Sequence, residues 1–150
     1  MKIWVDADAA PRAVKDMLYR AANRTKIPLI LVANAPLAVP TSAYIRSVVV
    51  AKGFDVADEH IVEQIEAGDL LITQDVPLAA AAVERGATCI GVRGEIIDAS
   101  NASVRLAIRD IREEQRLSGE LMGGPKAFGD KDKRKFAAAL DRWLAKATRA

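Results

Sequence analysis

Short apolar runs alternate with segments of helical periodicity along most of this chain. Runs in which apolar residues follow one another without a polar break are typical of strands that are buried on both faces of a parallel sheet. Parallel strands need crossover connections, and the helical segments between the runs supply them. The pattern predicts an α/β fold with three layers (α/β/α), in which helices cover both faces of a central, mainly parallel sheet. Predicted strands cover 2–8, 29–33, 45–51, 69–75 and 88–92, and predicted helices cover 11–23, 58–65, 76–85, 101–118 and about 131–147.

The length and composition of the chain fit one domain over residues 1–150, with the last helix packing as an appendage. Hydrophobic residues make up 51% of the chain and charged residues 28%, which is typical of a folded soluble protein and excludes a disordered one. No apolar run approaches the roughly 18 residues of a membrane span, and the first residues show no signal-peptide pattern. For this reason we expect no membrane association. Because Cys89 is the only cysteine, we also expect a cytoplasmic protein.

Aspartates stand where several of these predicted elements end or begin. Asp6 and Asp8 close the first apolar run, Asp75 closes the fourth, and Asp58 is predicted as the N-cap of the second helix. Because strand side chains alternate between faces, Asp6 and Asp8 are expected to point the same way. The carboxyl ends of parallel strands lie at one edge of a sheet, where open α/β folds place their ligands. We therefore expect Asp6, Asp8 and Asp75 to converge, with Asp58 beside them.

A cluster of carboxylates needs protons, cationic partners or a divalent cation, because two such charges about 5 Å apart repel by roughly 3 kcal/mol. Oxygen ligands favour Mg²⁺ or Mn²⁺, and such an ion can activate water for phosphodiester cleavage. A zinc site is not expected, since His60 and Cys89 are the only histidine and the only cysteine. A nucleotide cofactor is not expected either, since 123–125 (Gly-Gly-Pro) lacks the spacing of a phosphate-binding loop and is predicted to be a turn.

The second part of the chain is basic and the first part is acidic. Residues 101–150 carry 12 Lys and Arg against 7 Asp and Glu, a net charge of +5, whereas residues 1–100 carry 10 against 13, a net charge of −3. A basic region attracts nucleic acid, although a solvated helix surface gives the same count. A partner that carries phosphate groups is therefore a candidate. The residues expected to support the site or to bind nucleic acid are Asn34, Thr73, Arg93, Lys131 and Arg134.

Six segments of the chain resemble the YaiI/YqxD family of bacterial proteins, which is itself similar to the PIN-like superfamily of metal-dependent nucleases. The resemblance implies a PIN-like fold and an Mg²⁺- or Mn²⁺-dependent nuclease acting on RNA. It implies that Asp6, Asp58 and Asp75 hold the metal. For catalysis we expect Asp6 and Asp75 to act together with Asp8, which would assist or position water. The family usually has cysteine where this chain has Ala10. The segments that carry the resemblance are 4–11, 31–34, 53–58, 68–79, 93–95 and 123–125.

Two other functions remain open from the sequence. An Asp-x-Asp motif after a first strand also opens the haloacid-dehalogenase family, which would make Asp6 the nucleophile and Asp8 the general acid/base of a phosphohydrolase, with Thr73 in support. Alternatively, the chain is a non-catalytic module that binds RNA or protein and keeps the acidic pocket for stability.

Overall fold

The computed structural model describes residues 1–53, 55–117 and 127–149. Within these residues, six strands form one sheet in the order β3-β2-β1-β4-β5-β6, and only β6 runs antiparallel to its neighbour. This confirms the α/β class and the mainly parallel sheet. The strands are β1 Ile3–Asp6, β2 Leu29–Ala33, β3 Ile45–Val49, β4 Leu70–Ile72, β5 Thr88–Ile90 and β6 Ile96–Ile97, and the helices are α1 Arg12–Thr25, α2 Val56–Gln64, α3 Val76–Glu84, α4 Ala102–Leu117 and α5 Asp130–Ala147.

The order of the strands creates a crevice between β1 and β4. From β1 the chain moves to β2 and β3 on one side of the sheet, and it then returns to the other side of β1 to form β4. Both neighbours run parallel to β1, and Val5 is in register with Leu31 of β2 and with Ile72 of β4. In open α/β sheets, a reversal of this kind leaves the adjoining strand ends uncovered by connections, and ligands bind there. The carboxyl ends of β1 and β4 flank this point.

Helices cover both faces of the sheet, which confirms the three layers. Side chains of α1 and α5 pack with one face of the strands, and side chains of α2 and α3 pack with the other face, while α4 lies against α3. The last helix, expected as an appendage, contributes directly to the core. Its Phe136 is fully buried, which is worth roughly 1.5–3 kcal/mol. The other buried residues of α5 are Ala139, Leu140 and Leu144.

Two elements differ from the sequence prediction because of local backbone geometry. β4 stops at Ile72 rather than at residue 75, since the hydroxyl of Thr73 accepts a hydrogen bond from the backbone N–H of Asp75 and turns the chain into α3. Helix α2 begins at Val56, and its N-cap residue is Asp55, whose φ of 62° is in the left-handed region. Asp58 is therefore not the N-cap, as predicted, but a residue of the first helical turn.

A short hairpin replaces the end of the predicted strand at 88–92. The N–H of Gly91 donates to the carbonyl of Glu95, and the N–H of Gly94 donates to the carbonyl of Gly91, so that the chain reverses and forms β6. Gly94 has a φ of +90°, and a Cβ atom there would lie 2.7 Å from the backbone of Lys135 in α5. The strand β6 was not predicted, because two isoleucines are too short a pattern.

None of the helices within the described residues is long and apolar enough to cross a membrane. The turn predicted at 123–125, and most of the loop around it, lie outside the described residues.

Candidate carboxylate site

Asp6 is the last residue of the central strand β1 and marks the crevice between β1 and β4. Its side chain is half-buried, and its Oδ2 accepts a hydrogen bond of 3.0 Å from Oγ1 of Thr73. Thr73 follows β4 directly and is only 3% exposed. The parallel register of β1 and β4 brings the two residues side by side although 67 positions separate them. The predicted meeting of these two strand ends is therefore present in the structure.

Asp75 is held at the same edge by the start of α3. It is the N-cap of that helix, and its Oδ1 accepts a hydrogen bond of 3.1 Å from the backbone N–H of Leu78. Its own N–H donates to Oγ1 of Thr73 over 3.1 Å. One hydroxyl group therefore connects Asp6 and Asp75, since it donates to the first and accepts from the second.

Asp58 brings a third carboxyl group from the first turn of α2. A hydrogen bond joins its side chain to the side chain of Asp75. Two carboxylates can share such a bond only when one of them holds a proton. Burial is the largest cause that raises the pKa of Asp58, and together with the negative charges of Asp75, Asp6 and Asp55 it brings this pKa to about 6. Asp58 is therefore the residue that carries the proton at slightly acidic pH.

The pKa of Asp6 is also raised, although one hydrogen bond acts in the opposite direction. Burial raises the pKa of Asp6, the hydrogen bond from Thr73 lowers it, and the charges of Asp75 and Asp8 raise it. None of the ion pairs between described residues involves Asp6, Asp58 or Asp75. Within that part of the chain, hydrogen bonds from Thr73 and from the N–H of Leu78 stabilise the carboxylates of Asp6 and Asp75 in place of a salt bridge.

Asp8 does not extend the strand, as the sequence pattern suggested. β1 ends at Asp6, and 7–9 form a short 3-10 turn, so the alternation of strand side chains does not apply. Asp8 is exposed, and its Oδ2 accepts a hydrogen bond of 2.9 Å from the backbone N–H of Asn34, just after β2. Among the described residues, Oδ1 of Asn34 is buried without a hydrogen-bond partner. A buried carbonyl oxygen in that state is usually satisfied by a water molecule or an ion.

The arrangement stops short of a preformed metal site. In the described ranges no group of three or more His, Cys, Asp or Glu side chains is placed to hold a metal ion. Asp6, Asp58 and Asp75 lie at one edge and feel one another's charge, but the hydroxyl of Thr73 donates a hydrogen bond to Asp6 and the N–H of Leu78 donates one to Asp75. Their donor atoms are all oxygen, the chemistry that Mg²⁺ and Mn²⁺ prefer.

The basic residues named from the sequence lie to one side of the cluster. Arg93 forms an ion pair of 2.7 Å with Asp132, and its guanidinium lies 6.0 Å from the ring centroid of Phe128. This contact joins the β5–β6 turn to the start of α5. Lys131 and Arg134 are exposed residues of α5. Arg93 also lines a cavity with Asp75, whereas Lys131 and Arg134 do not line it.

A cavity of about 820 Å³ extends from Asp75 to helix α4, and sequence reasoning missed the residues on its far side. A second cavity, of about 620 Å³, contains both Asp58 and Asp75 and also reaches α4, at Arg109. The signal for these residues was present in the sequence, because arginine recurs every three or four positions along the helix. The arginines that line the larger cavity from α4 are Arg105, Arg109, Arg112 and Arg116.

Comparison with known proteins places nearly the whole chain in one group. The family model described as an uncharacterised BCR, the YaiI/YqxD family, matches residues 4–146. A UPF0178 protein of Hahella chejuensis is 54% identical over 149 residues, which cover 99% of each chain. A UPF0178 protein of Saccharophagus degradans is 53% identical over 146 residues, or 97% of each chain. The UPF0178 protein YaiI of Escherichia coli is 51% identical over 149 residues, which cover 99% of this chain and 98% of that relative. No solved structure matches the chain significantly.

Proposed function

The chain belongs to the YaiI/YqxD family, and from this premise we propose that it is a nuclease that hydrolyses phosphodiester bonds of RNA with the help of Mg²⁺ or Mn²⁺. The observation that carries the proposal is the cluster of Asp6, Asp58 and Asp75 at the crevice between β1 and β4. These carboxyl groups come from three different elements and repel one another, yet the fold keeps them together. Groups whose pKa is displaced in this way by burial and by like charges concentrate at functional sites.

The cluster fits a divalent cation in charge and in donor chemistry. Below about pH 6, where Asp58 holds a proton, that proton reduces the repulsion between the carboxyl groups as a cation would. Loss of that proton frees oxygen atoms on both residues, and Asp6 adds a third carboxylate. The unpartnered Oδ1 of Asn34 offers one more oxygen at the carboxyl end of the neighbouring strand β2. Asp6, Asp58 and Asp75 would therefore hold the ion.

A bound divalent cation lowers the pKa of a water ligand and stabilises charge on the phosphoryl oxygens. The residues of the chain supply the rest. Thr73 fixes the orientation of Asp6 through its hydroxyl, and the start of α3 fixes Asp75 through the N–H of Leu78. Asp8 lies outside the hydrogen-bonded cluster and has an exposed side chain, and we expect it to orient a water molecule.

The test is cleavage of a fluorescent single-stranded RNA oligonucleotide by the purified protein in Mg²⁺, in Mn²⁺ and in EDTA. We expect cleavage only with a divalent cation, and we expect Asp6→Asn to reduce its rate by about 10²- to 10³-fold, since a metal supplies several kcal/mol of transition-state stabilisation. Asp141→Asn is the matched control, because Asp141 is exposed on α5 and forms only a long ion pair of 4.0 Å with Arg24.

The proposal fails if no cleavage occurs with either ion, or if Asp6→Asn cleaves as fast as the control variant prepared in parallel. Hydrolysis of a phosphate monoester by a preparation that leaves the oligonucleotide intact would favour the phosphohydrolase with Asp6 as nucleophile. Salt-sensitive RNA binding without binding of Mg²⁺ or Mn²⁺ would favour the non-catalytic module.

A further inference from the structure

Helix α4 presents a row of positive charge that the core does not require. Arg105, Arg109, Arg112 and Arg116 recur at the three- and four-residue spacing of one helical face, and all four are exposed. No residue of this helix is buried. The row, which we call the arginine row, therefore has no evident part in stabilising the fold.

The arginine row faces the carboxylate cluster across open space. All four arginines line the cavity of about 820 Å³ that also contains Asp75. Their charge is opposed there by Glu95 and Glu113 in addition to Asp75. Arg109 forms an exposed ion pair of 3.5 Å with its neighbour Asp110, and the ion pairs between described residues include none of the other three. The guanidinium groups are thus available to a ligand that enters this cavity.

The dimensions and chemistry of the row match the backbone of a nucleic-acid strand. From Arg105 to Arg116 the helix rises about 16 Å, the length of about five stacked nucleotides of one strand. One guanidinium group can donate two parallel hydrogen bonds to the oxygens of one phosphate, which favours Arg over Lys at such a site. Ile108, which is 45% exposed, lies among the arginines in the same cavity. It offers an apolar contact to the bases of a single strand, which are unpaired and accessible, whereas the bases of a duplex are paired and stacked.

We propose that the arginine row is the binding site for the phosphodiester backbone of a single-stranded nucleic acid and directs the strand to Asp75. This inference rests on the proposed function for its biological meaning, but it concerns binding and is measured without cleavage. The cavity joins the two features, so a strand that lies along α4 passes the carboxylate cluster.

The experiment measures fluorescence anisotropy of labelled single-stranded RNA and DNA oligonucleotides in EDTA, where no metal-dependent cleavage occurs. The test variant combines Arg105→Gln, Arg109→Gln and Arg112→Gln. The matched control combines Arg142→Gln, Lys146→Gln and Arg149→Gln. The control removes three positive charges from exposed residues of a cavity at the opposite edge of the sheet, where β5 begins. Glutamine supports a helix about as well as arginine does, and circular dichroism checks that both variants are folded.

We expect the test variant to bind at least about 10-fold more weakly than the control at low salt. If the four arginines each neutralise one phosphate of a single strand, the affinity of the unmodified protein falls about 50-fold between 50 and 200 mM salt, and that of the test variant falls about 3-fold. The control variant keeps the steep dependence. Equal affinities for RNA and DNA would mean that the arginine row binds the phosphates that both share. A higher affinity for RNA would indicate additional contacts to the 2′-hydroxyl.

Equal weakening in the two triple variants would overturn the inference, as would equally tight and equally arginine-dependent binding of a duplex. These outcomes are separate from those of the cleavage assay. Loss of binding in the test variant supports the arginine row even if the protein cleaves nothing. Metal-dependent cleavage that both variants retain in full, with no difference in binding, supports the nuclease and rejects the row.

Discussion

Replacing Asp58 by asparagine should stabilise the folded protein at neutral pH. The pKa of Asp58 is raised from its ordinary 3.8 to about 6, first by burial and then by the charges of Asp75 and Asp6. A displacement from 3.8 to about 6 corresponds to about 3 kcal/mol of cost for the charged form. Asp58 is only partly buried and water screens its charge, so we expect about 1–2 kcal/mol of this cost to be measured. Asparagine is similar in shape to the protonated side chain and can still donate to Asp75.

The sign of the effect defines the pH range of the experiment. Between about pH 4 and pH 6 the folded protein holds a proton on Asp58 that the unfolded chain has lost, so the stability contributed by this group falls as the pH rises. The wild-type protein and Asp58→Asn should therefore be equally stable at pH 4 and should separate to the full difference above pH 6. Urea unfolding at pH 4, 5, 6, 7 and 8 in EDTA measures the two curves.

Addition of Mn²⁺ or Mg²⁺ at pH 8 extends the same experiment to the metal. An ion present at about 100 times its Kd stabilises the wild-type protein by about 2.7 kcal/mol, and Asp58→Asn should lose most of this gain. Asp141→Asn, an exposed change in α5, should stay within about 0.5 kcal/mol of wild type at every pH. The reasoning is refuted if Asp58→Asn is no more stable than wild type at pH 8, or if its advantage is the same at pH 4.

Three further predictions concern buried residues on both edges of the sheet. Thr73→Val should cost about 1.5–3 kcal/mol in urea unfolding, because it removes the hydroxyl that bonds to Asp6 and Asp75. It should also raise the pKa of Asp6 further, so that Mn²⁺ binding measured by calorimetry moves to higher pH. Thr73→Ser should restore both properties, and unchanged Mn²⁺ binding between pH 6 and 8 would contradict this. Asp69→Ala should destabilise the fold by about 3–5 kcal/mol, because the buried carboxylate accepts hydrogen bonds from Nε1 of Trp4 and from two backbone N–H groups. Asp69 lies at the edge of the sheet opposite to the carboxylate cluster, so RNA cleavage by the folded fraction should stay normal. Cys89 should react with a thiol reagent only after unfolding, because burial raises its pKa to about 12; rapid labelling of the native protein would disprove this.

The sequence predicted the sheet well because its central strands are apolar without interruption. β2 is buried at every residue, and such a run has no other stable placement in a chain of this kind. The meeting of Asp6 with Thr73 and Asp75 followed from the rule that parallel strands end at one edge. No assumption about strand order was needed beyond β1 and β4 being neighbours, and they are neighbours.

The details that failed depend on local backbone geometry rather than on apolar pattern. Asp8 was assigned to the strand, but the 3-10 turn rotates it away to the N–H of Asn34. Asp58 was assigned as an N-cap because aspartate is common there, yet Asp55 adopts the left-handed backbone conformation and starts α2 three residues earlier. No pattern of hydrophobicity distinguishes these cases.

The arginine row was overlooked for a different reason. Val104, Ile108 and Ile111 recur at helical spacing in α4, which is typical of a face that packs on the core, yet each is at least 45% exposed in the structure. An amphipathic pattern normally marks the face that packs on the core, and here the charged positions beside it are the ones that line the cavity. Sequence periodicity identifies a face but not the neighbour that it meets.

The pairing of β1 with β4 has a consequence for protein synthesis. Asp6 leaves the ribosome before its partner Thr73, which is 67 residues further along, so the carboxylate cluster does not exist while β1 and β2 are being made. The cluster forms only when β4 inserts beside β1, a non-local step that costs loop-closure entropy and comes late in folding. The order of the strands along the chain therefore delays formation of the cluster until β4 has paired with β1.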